Sequence, residues 1–247
     1  MIPVLIAEWT KLRSLPSTLW TLLVVVVTAL GGSLILAAAS VSSPDAPFDP
    51  VTGTFAAWGE YPVLGVGVLG ALAVTNEYSS GQIRTTFTAV PRRLRVLAAK
   101  AAVVGALVVV VMTVLAWCAF GLTELLYGIH HSAISLAAPG VVRSVTMAGV
   151  SMAASAIFAV GIGAVVRHTV AAVITFPAAV FLPLALLAVP WSWGAAIGRY
   201  GLLAAAYQLV SPTPHHDLLP IWAAVPVLLA WPLASLATAA FLTPQDV

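Results

Sequence analysis

Charge is what this sequence has least of. Charged residues make up 7% of it, against about 25% in a soluble domain. Hydrophobic residues fill 61% of the 247 positions, more apolar surface than a water-soluble core can hide. That excludes a soluble fold and predicts an all-α, polytopic membrane protein built as a single transmembrane domain, 1–247.

The other scarcities exclude chemistries. The single cysteine, Cys118, lies in an apolar run; it forms no intrachain disulfide and says nothing about redox compartment. The two lysines, Lys11 and Lys100, are followed by Leu12 and Ala101, and neither follows a glycine. A P-loop of the form G-x-x-x-x-G-K-[ST] is therefore missing, and ATP hydrolysis by that route with it. There is no H-E-x-x-H zinc helix. His215-His216-Asp217 follows the run Ser211-Pro212-Thr213-Pro214 and reads as solvated loop rather than metal site. No serine is accompanied by histidine or lysine at membrane depth; His168 falls at a turn. The expectation is no catalytic residue, no metal and no cofactor bound by this chain.

What is present is a series of apolar runs. In Met1–Leu15, Ile2, Leu5, Ile6, Trp9 and Leu12 recur at helical spacing, with Glu8, Lys11 and Arg13 mostly between them. That predicts an amphipathic helix at the membrane surface over 1–15, with a disordered tail as the alternative. Pro16 ends that helix or opens the next. Six spans are expected, near 20–41, 54–75, 101–122, 141–166, 170–189 and 220–242. The first is too long for a signal-peptide core of about 7–15 residues. Gly65, Gly67 and Gly70 spell G-x-G-x-x-G. Inside one apolar run this is no dinucleotide fingerprint but a smooth face for close helix packing. Pro177 and Pro183 fall in the fifth span and Pro226 and Pro232 in the sixth, where each removes a helix hydrogen bond. The stretch 197–210 is too short to cross and too apolar for an open loop. It is either re-entrant or an interfacial helix held by Trp191, Trp193 and Tyr200.

Charge placement sets orientation. With six spans, eight of the ten basic residues fall on the side of both termini, and only Arg143 and Arg199 on the other. Lys and Arg concentrate in cytoplasmic loops, so both termini are expected in the cytoplasm. Thr123–Gly140 and Pro190–Leu219 are then external. Five of the ten basic residues crowd into Asn76–Lys100: Arg84, Arg92, Arg93, Arg95 and Lys100. The stretch lacks interleaved aromatics, so nucleic acid is not its partner. Glu60 and Glu124 lie near outer span ends, where a carboxylate serves either translocation or only structure.

The skeleton of that stretch is Glu77, Gly81, Ile83, Phe87, Pro91 and Arg95. It resembles the E-x-x-x-G-T-[IL]-x-x-x-[LF]-x-x-x-P-x-x-x-R pattern of exporter-type ABC transporter permeases, the ABC-2 family, with Gln82 in place of the usual Thr. The fuller wording, and the opening Glu8-Trp9-Thr10-Lys11-Leu12-Arg13-Ser14, are similar to the actinobacterial branch. The resemblance implies a bacterial plasma-membrane permease that pairs with a second copy or a paralogue. Each permease docks a separate ATP-binding subunit, which holds the ATP and Mg. Docking would use a short coupling helix within Gly81–Val90. In it Gly81 closes the preceding helix, Ile83 and Phe87 form the apolar face with Val90 at its end, and Arg84 meets an acidic rim. Arg92, Arg93, Arg95 and Lys100 would then hold the re-entry at anionic lipid headgroups. Two other functions compete on the residues alone. One is a proton-coupled secondary transporter using Glu60 or Glu124; the other is a non-transport membrane scaffold.

Overall fold

The computed structural model describes residues 2–41, 55, 57–59, 61–82, 93–130 and 138–242. Among them the regular structure is entirely helical. The helices are α1 (Ile2–Ser14), α2 (Pro16–Val41), α3 (Tyr61–Ser79), α4 (Arg93–His130), α5 (Val141–Val166), α6 (Thr169–Leu186), α7 (Ser192–Gly198), α8 (Leu202–Val210) and α9 (Ile221–Leu242). A 3-10 turn, Ala57–Gly59, precedes α3. Five helices are long and apolar enough to cross a membrane: α2, α4, α5, α6 and α9. This makes the chain a multi-pass membrane protein. The stretch expected as the second span is helical over Tyr61–Ser79 but carries Asn76 and Glu77 near its end.

Helix α5 is the axis of the bundle. It packs against α3, α4, α6, α8 and α9. Its buried face is rich in small residues, among them Ala148, Gly149, Ser151, Ala156 and Gly161, with Met152 and Phe158 between them. Lipid tails are as apolar as leucine, so helices associate in a bilayer through close van der Waals approach, which small side chains permit. The G-x-G-x-x-G face of α3 works the same way. A Cβ on Gly65 would strike Val25, one on Gly67 the ring of Phe176, and one on Gly70 the backbone carbonyl of Ala156. The outer helices instead expose apolar side chains, such as Leu19, Leu23 and Val27 on α2 and Trp222, Leu233 and Phe241 on α9.

Helix α4 departs from the sequence reading, and two stretches left open there take one of their alternatives. Pro16 opens α2 directly after Leu15, at a first-turn position where its missing N–H costs nothing. Helix α4 has 38 residues, about 57 Å at 1.5 Å per residue. It takes in Arg93–Lys100 at one end and continues through Glu124 to His130 at the other, into the segment expected as external loop. A helix satisfies its own backbone, so nothing obliges it to stop at the bilayer edge. Finally, 197–210 forms the end of α7 and all of α8. Helix α8 is buried along nearly its whole length, from Leu202 to Leu209, against α5 and α9. This favours re-entrant packing over a surface-lying helix. The Arg143 guanidinium donates to the carbonyls of Ser211 (2.7 Å) and Pro212 (3.3 Å) where α8 ends, supplying donors to carbonyls that the helix itself leaves open.

Helices α2 to α6 alternate in direction. The start of α2, the end of α3, the start of α4 and the α5–α6 turn therefore gather at one end of the bundle. Arg143, the 3-10 turn and the end of α8 lie at the other.

Candidate functional site: a buried ion ring beneath the first helix

Helix α1 lies against the first of these ends. Its outer face shows Ile2 (71% exposed), Ile6 (60%) and Trp9 (45%). Its inner face buries Leu12 and, against the amphipathic pattern, Glu8. What Glu8 meets explains its burial. One oxygen accepts from Lys11 (3.0 Å) and the other from Lys100 (2.6 Å). Both lysines also donate to Oε1 of Glu77, at 2.7 Å from Lys11 and 2.8 Å from Lys100. The four side chains close a neutral ring of alternating sign: Glu8, Lys11, Glu77, Lys100. Both lysines of the chain are in it, and two of its four glutamates.

Each member is placed by its helix. Glu8 and Lys11 are three apart on α1 and share a face. Glu77 sits in the last turn of α3, which stops two residues later. Gly81 follows at φ 73°, a left-handed conformation that glycine adopts without strain. Lys100 comes from the second turn of α4. Its ammonium spends its three donors on Glu8, Glu77 and the Ala73 carbonyl (3.2 Å). The ring thus joins α1, the end of α3 and the start of α4. Glu8 is 4% exposed, Glu77 5% and Lys100 4%. Ions this deep are tolerated only when paired and hydrogen-bonded. One atom departs from that rule: Oε2 of Glu77 is buried without a hydrogen-bond partner. A cavity of about 410 Å³ adjoins the ring, lined by Glu8, Lys11, Asn76, Glu77 and Lys100 among others. The α5–α6 turn reaches the same end, where Arg167 lies over the Tyr78 ring, 5.8 Å from its centre.

The sequence-predicted site residues divide. Gly81 sits just beyond α3, and Arg95 is exposed on the first turn of α4. Arg93 opens α4. Ile83, Arg84, Phe87, Val90 and Arg92, and also Glu60, lie outside the described residues. Lys100 corrects the expectation of a lipid-headgroup contact: its charge is consumed inside the protein by Glu8 and Glu77. Glu124 is half-buried far along α4, about 36 Å from Lys100 by helix rise, and has no part in the ring. Among the described residues no group of three or more His, Cys, Asp or Glu comes together to hold a metal. Sequence reasoning missed the inward role of Glu8 and Lys11. The available signal was that a lysine-poor chain places each lysine within reach of a glutamate at one end of a predicted helix.

No family model and no curated protein matches the sequence.

The ring acts as a clasp: it holds three helices together by charge. Burial works against the Lys11 ammonium, and its bonds to Glu77 and Glu8 outweigh that, so its pKa lies above the ordinary lysine value. A raised lysine pKa contributes stability that is complete below the unfolded value, about 10.4, and is lost as pH rises through the folded one. A spin label at Thr10→Cys, with Cys118→Ser, should therefore report an unchanged, docked α1 from pH 7 to 9 and increased mobility only in the strongly alkaline range. Release of α1 near neutrality is the outcome that contradicts this.

Proposed function

We propose that this chain is the membrane-spanning permease subunit of an ATP-driven exporter of the ABC-2 type. In this reading α3 is the second of six spans and both termini are cytoplasmic, in a bacterial plasma membrane. A second copy or a paralogue completes the translocation path. A separate ATP-binding subunit, carrying ATP and Mg, docks on the segment 81–90.

The observation that carries the proposal is the ion ring. It ties together the helix ends on both sides of the 83–92 connection, Glu77 on α3 and Lys100 on α4, and adds α1 to them. A partner gripping that connection would move one charge-locked unit rather than a loose hairpin. Coupling of this kind needs contiguous, rigid elements between the docking point and the spans. The motif order supports the same reading: Glu77 in the ring, Gly81 closing α3, then Ile83 and Phe87 at the spacing of one helix face. ATP binding to the partner supplies the differential affinity that shifts the spans between two states.

The test is co-purification. Mild detergent extraction of the tagged chain should bring down a near-stoichiometric protein with a P-loop. Phe87→Asp should abolish that association and leave membrane insertion intact, because it places a charge on the docking face. Undiminished co-purification of the variant sinks the docking assignment. The absence of any P-loop partner, even after crosslinking at position 87, sinks the exporter reading.

A further inference from the structure

Helices α7 and α8 form a hairpin that enters the bundle from the end marked by Arg143. Its tip, residues 199–201, reaches mid-height, and two measures agree on that. The Tyr200 carbonyl accepts from the Trp231 indole at 2.9 Å, and Trp231 stands ten residues into α9, about 15 Å. From the other side, the nine residues of α8, about 14 Å, separate the tip from Ser211, whose carbonyl Arg143 holds at the bundle end. Glycines let the tip close on α6: a Cβ on Gly198 would come within 2.8 Å of the Pro183 carbonyl, and one on Gly201 within 2.8 Å of the Pro183 ring. Helix α7 thus turns Gly194 and Gly198 inward and shows Trp193, Ala196 and Ile197 on its outer side, with Tyr200 just beyond it.

The tip carries Arg199. The other charged residues described cluster toward the two ends of the bundle, so this guanidinium is alone at its depth. It is half-buried, and its Nε donates to the Ala195 carbonyl of its own helix (3.2 Å). Among the described residues no carboxylate pairs with it, and its Nη groups, with four N–H donors, make no hydrogen bond. An arginine at membrane depth faces a bundle interior or a water-filled path, and it pairs. The bundle end is too far away for the side chain to carry its charge into the headgroups. A second copy of this chain repeats the same surface, on which no described carboxylate lies at this level, so it supplies no counter-ion either. That leaves an anion from outside the protein. We infer that Arg199 lines the translocation path and binds an organic anion, a carboxylate, sulfonate or phosphate carried on an apolar body. The guanidinium fork matches such groups with two parallel hydrogen bonds. Trp193, Ile197 and Tyr200, each about half exposed, offer apolar surface to the remainder. This names a substrate class for the exporter reading and rests on it. Its test reads only water access and charge beside Arg199, so it can fail while a P-loop partner still co-purifies, and the reverse.

The experiment uses the full chain in phosphatidylcholine nanodiscs, with Ala196→Cys as reporter and Cys118→Ser. Residue 196 is exposed and three positions before Arg199, on the same face of the helix. Relative to free cysteine, the anionic reagent methanethiosulfonate ethylsulfonate should modify it about tenfold faster than the cationic ethyltrimethylammonium reagent, the size of one charge-assisted contact. Arg199→Gln should abolish that preference and Arg199→Lys should keep it. 1-Naphthalenesulfonate should protect the reporter from a neutral methanethiosulfonate, whereas 1-naphthylmethylammonium, with the same apolar body, should not. The naphthyl comparison needs no change at position 199, so it holds even where Arg199→Gln does not fold. A reporter that reacts with neither charged reagent faces lipid, and that overturns the proposal. So does equal protection by both naphthyl probes, or protection by the sulfonate that survives Arg199→Gln. Protection gained only when phosphatidylglycerol is added to the nanodisc identifies a lipid headgroup and overturns it as well.

Discussion

Lys100→Met should destabilise the folded chain by about 3–5 kcal/mol, the range for stripping one partner from a buried ion pair. The lysine is the sole cation on the inner side of the ring: it is 4% exposed and bonds to both Glu8 and Glu77. Methionine fills similar volume but neutralises nothing. Lys11 then remains as the one ring cation for two carboxylates that are 4% and 5% exposed, and one of them must either stay charged in a poor dielectric or take up a proton. Two consequences separate this account from simple loss of packing. Acidification should narrow the deficit, because protonation removes the surplus charge. Adding Glu8→Gln should restore part of the loss, because Lys11 and Glu77 then balance each other. The cycle of single and double variants should show a coupling of about 1–3 kcal/mol. Thermal unfolding in detergent, at pH 5 and pH 8, measures all of it. Strictly additive losses, or a deficit independent of pH, would mean that the ring is not an electrostatic unit.

Gly70→Leu should prevent α3 from seating on α5. A Cβ at residue 70 already collides with the Ala156 carbonyl and comes within 3.1 Å of the Ala159 methyl. The obstacle is backbone, which cannot rotate away as a side-chain tip can, and α5 is itself wedged between four other helices. Overpacking a tight core typically costs about 1–3 kcal/mol; displacing a whole helix face belongs at or above the top of that range. The ring magnifies the effect, since Glu77 lies two turns along α3 and any shift of the helix moves its carboxylate out of reach of Lys11 and Lys100. Gly31→Ala is the matched control: a Cβ there meets nothing within 4 Å. Heating the detergent-solubilised variants and measuring what remains monodisperse by size exclusion distinguishes them. Gly70→Leu should aggregate at a clearly lower temperature and Gly31→Ala should behave as the parent. Equal behaviour of the two would falsify close packing of α3 on α5.

Much of the fold was legible because the bilayer leaves few options. With no water to receive backbone hydrogen bonds, long uncharged runs become helices, so stretches such as Val141–Val166 and Ile221–Leu242 can be read from composition and length. The glycines of α3 were readable for a related reason, since small residues at helical spacing are what helix contacts in lipid require. Helix α8 was half legible: its length ruled out a span, but only its burial against α5 and α9 favoured re-entrant packing over a surface-lying helix. The reach of α4 to His130 was not legible, because helix propensity continues after hydropathy falls.

The site divides along the same line. The sequence by itself determined the membrane class, the helical fold, the missing P-loop and the crowding of charge into Asn76–Lys100, all of which depend on residue type and near neighbours. Only the tertiary structure decided which charges serve topology and which serve cohesion. Lys100 and Arg95 are equivalent to any count of basic residues near a span. One is buried and the other exposed because α1 returns across the bundle end and brings Glu8 to within 2.6 Å of a lysine 92 residues further along the chain. A pairing over that separation leaves no periodic trace in the sequence. It arises from helix packing, and burial is what turns an unremarkable surface charge into a structural one.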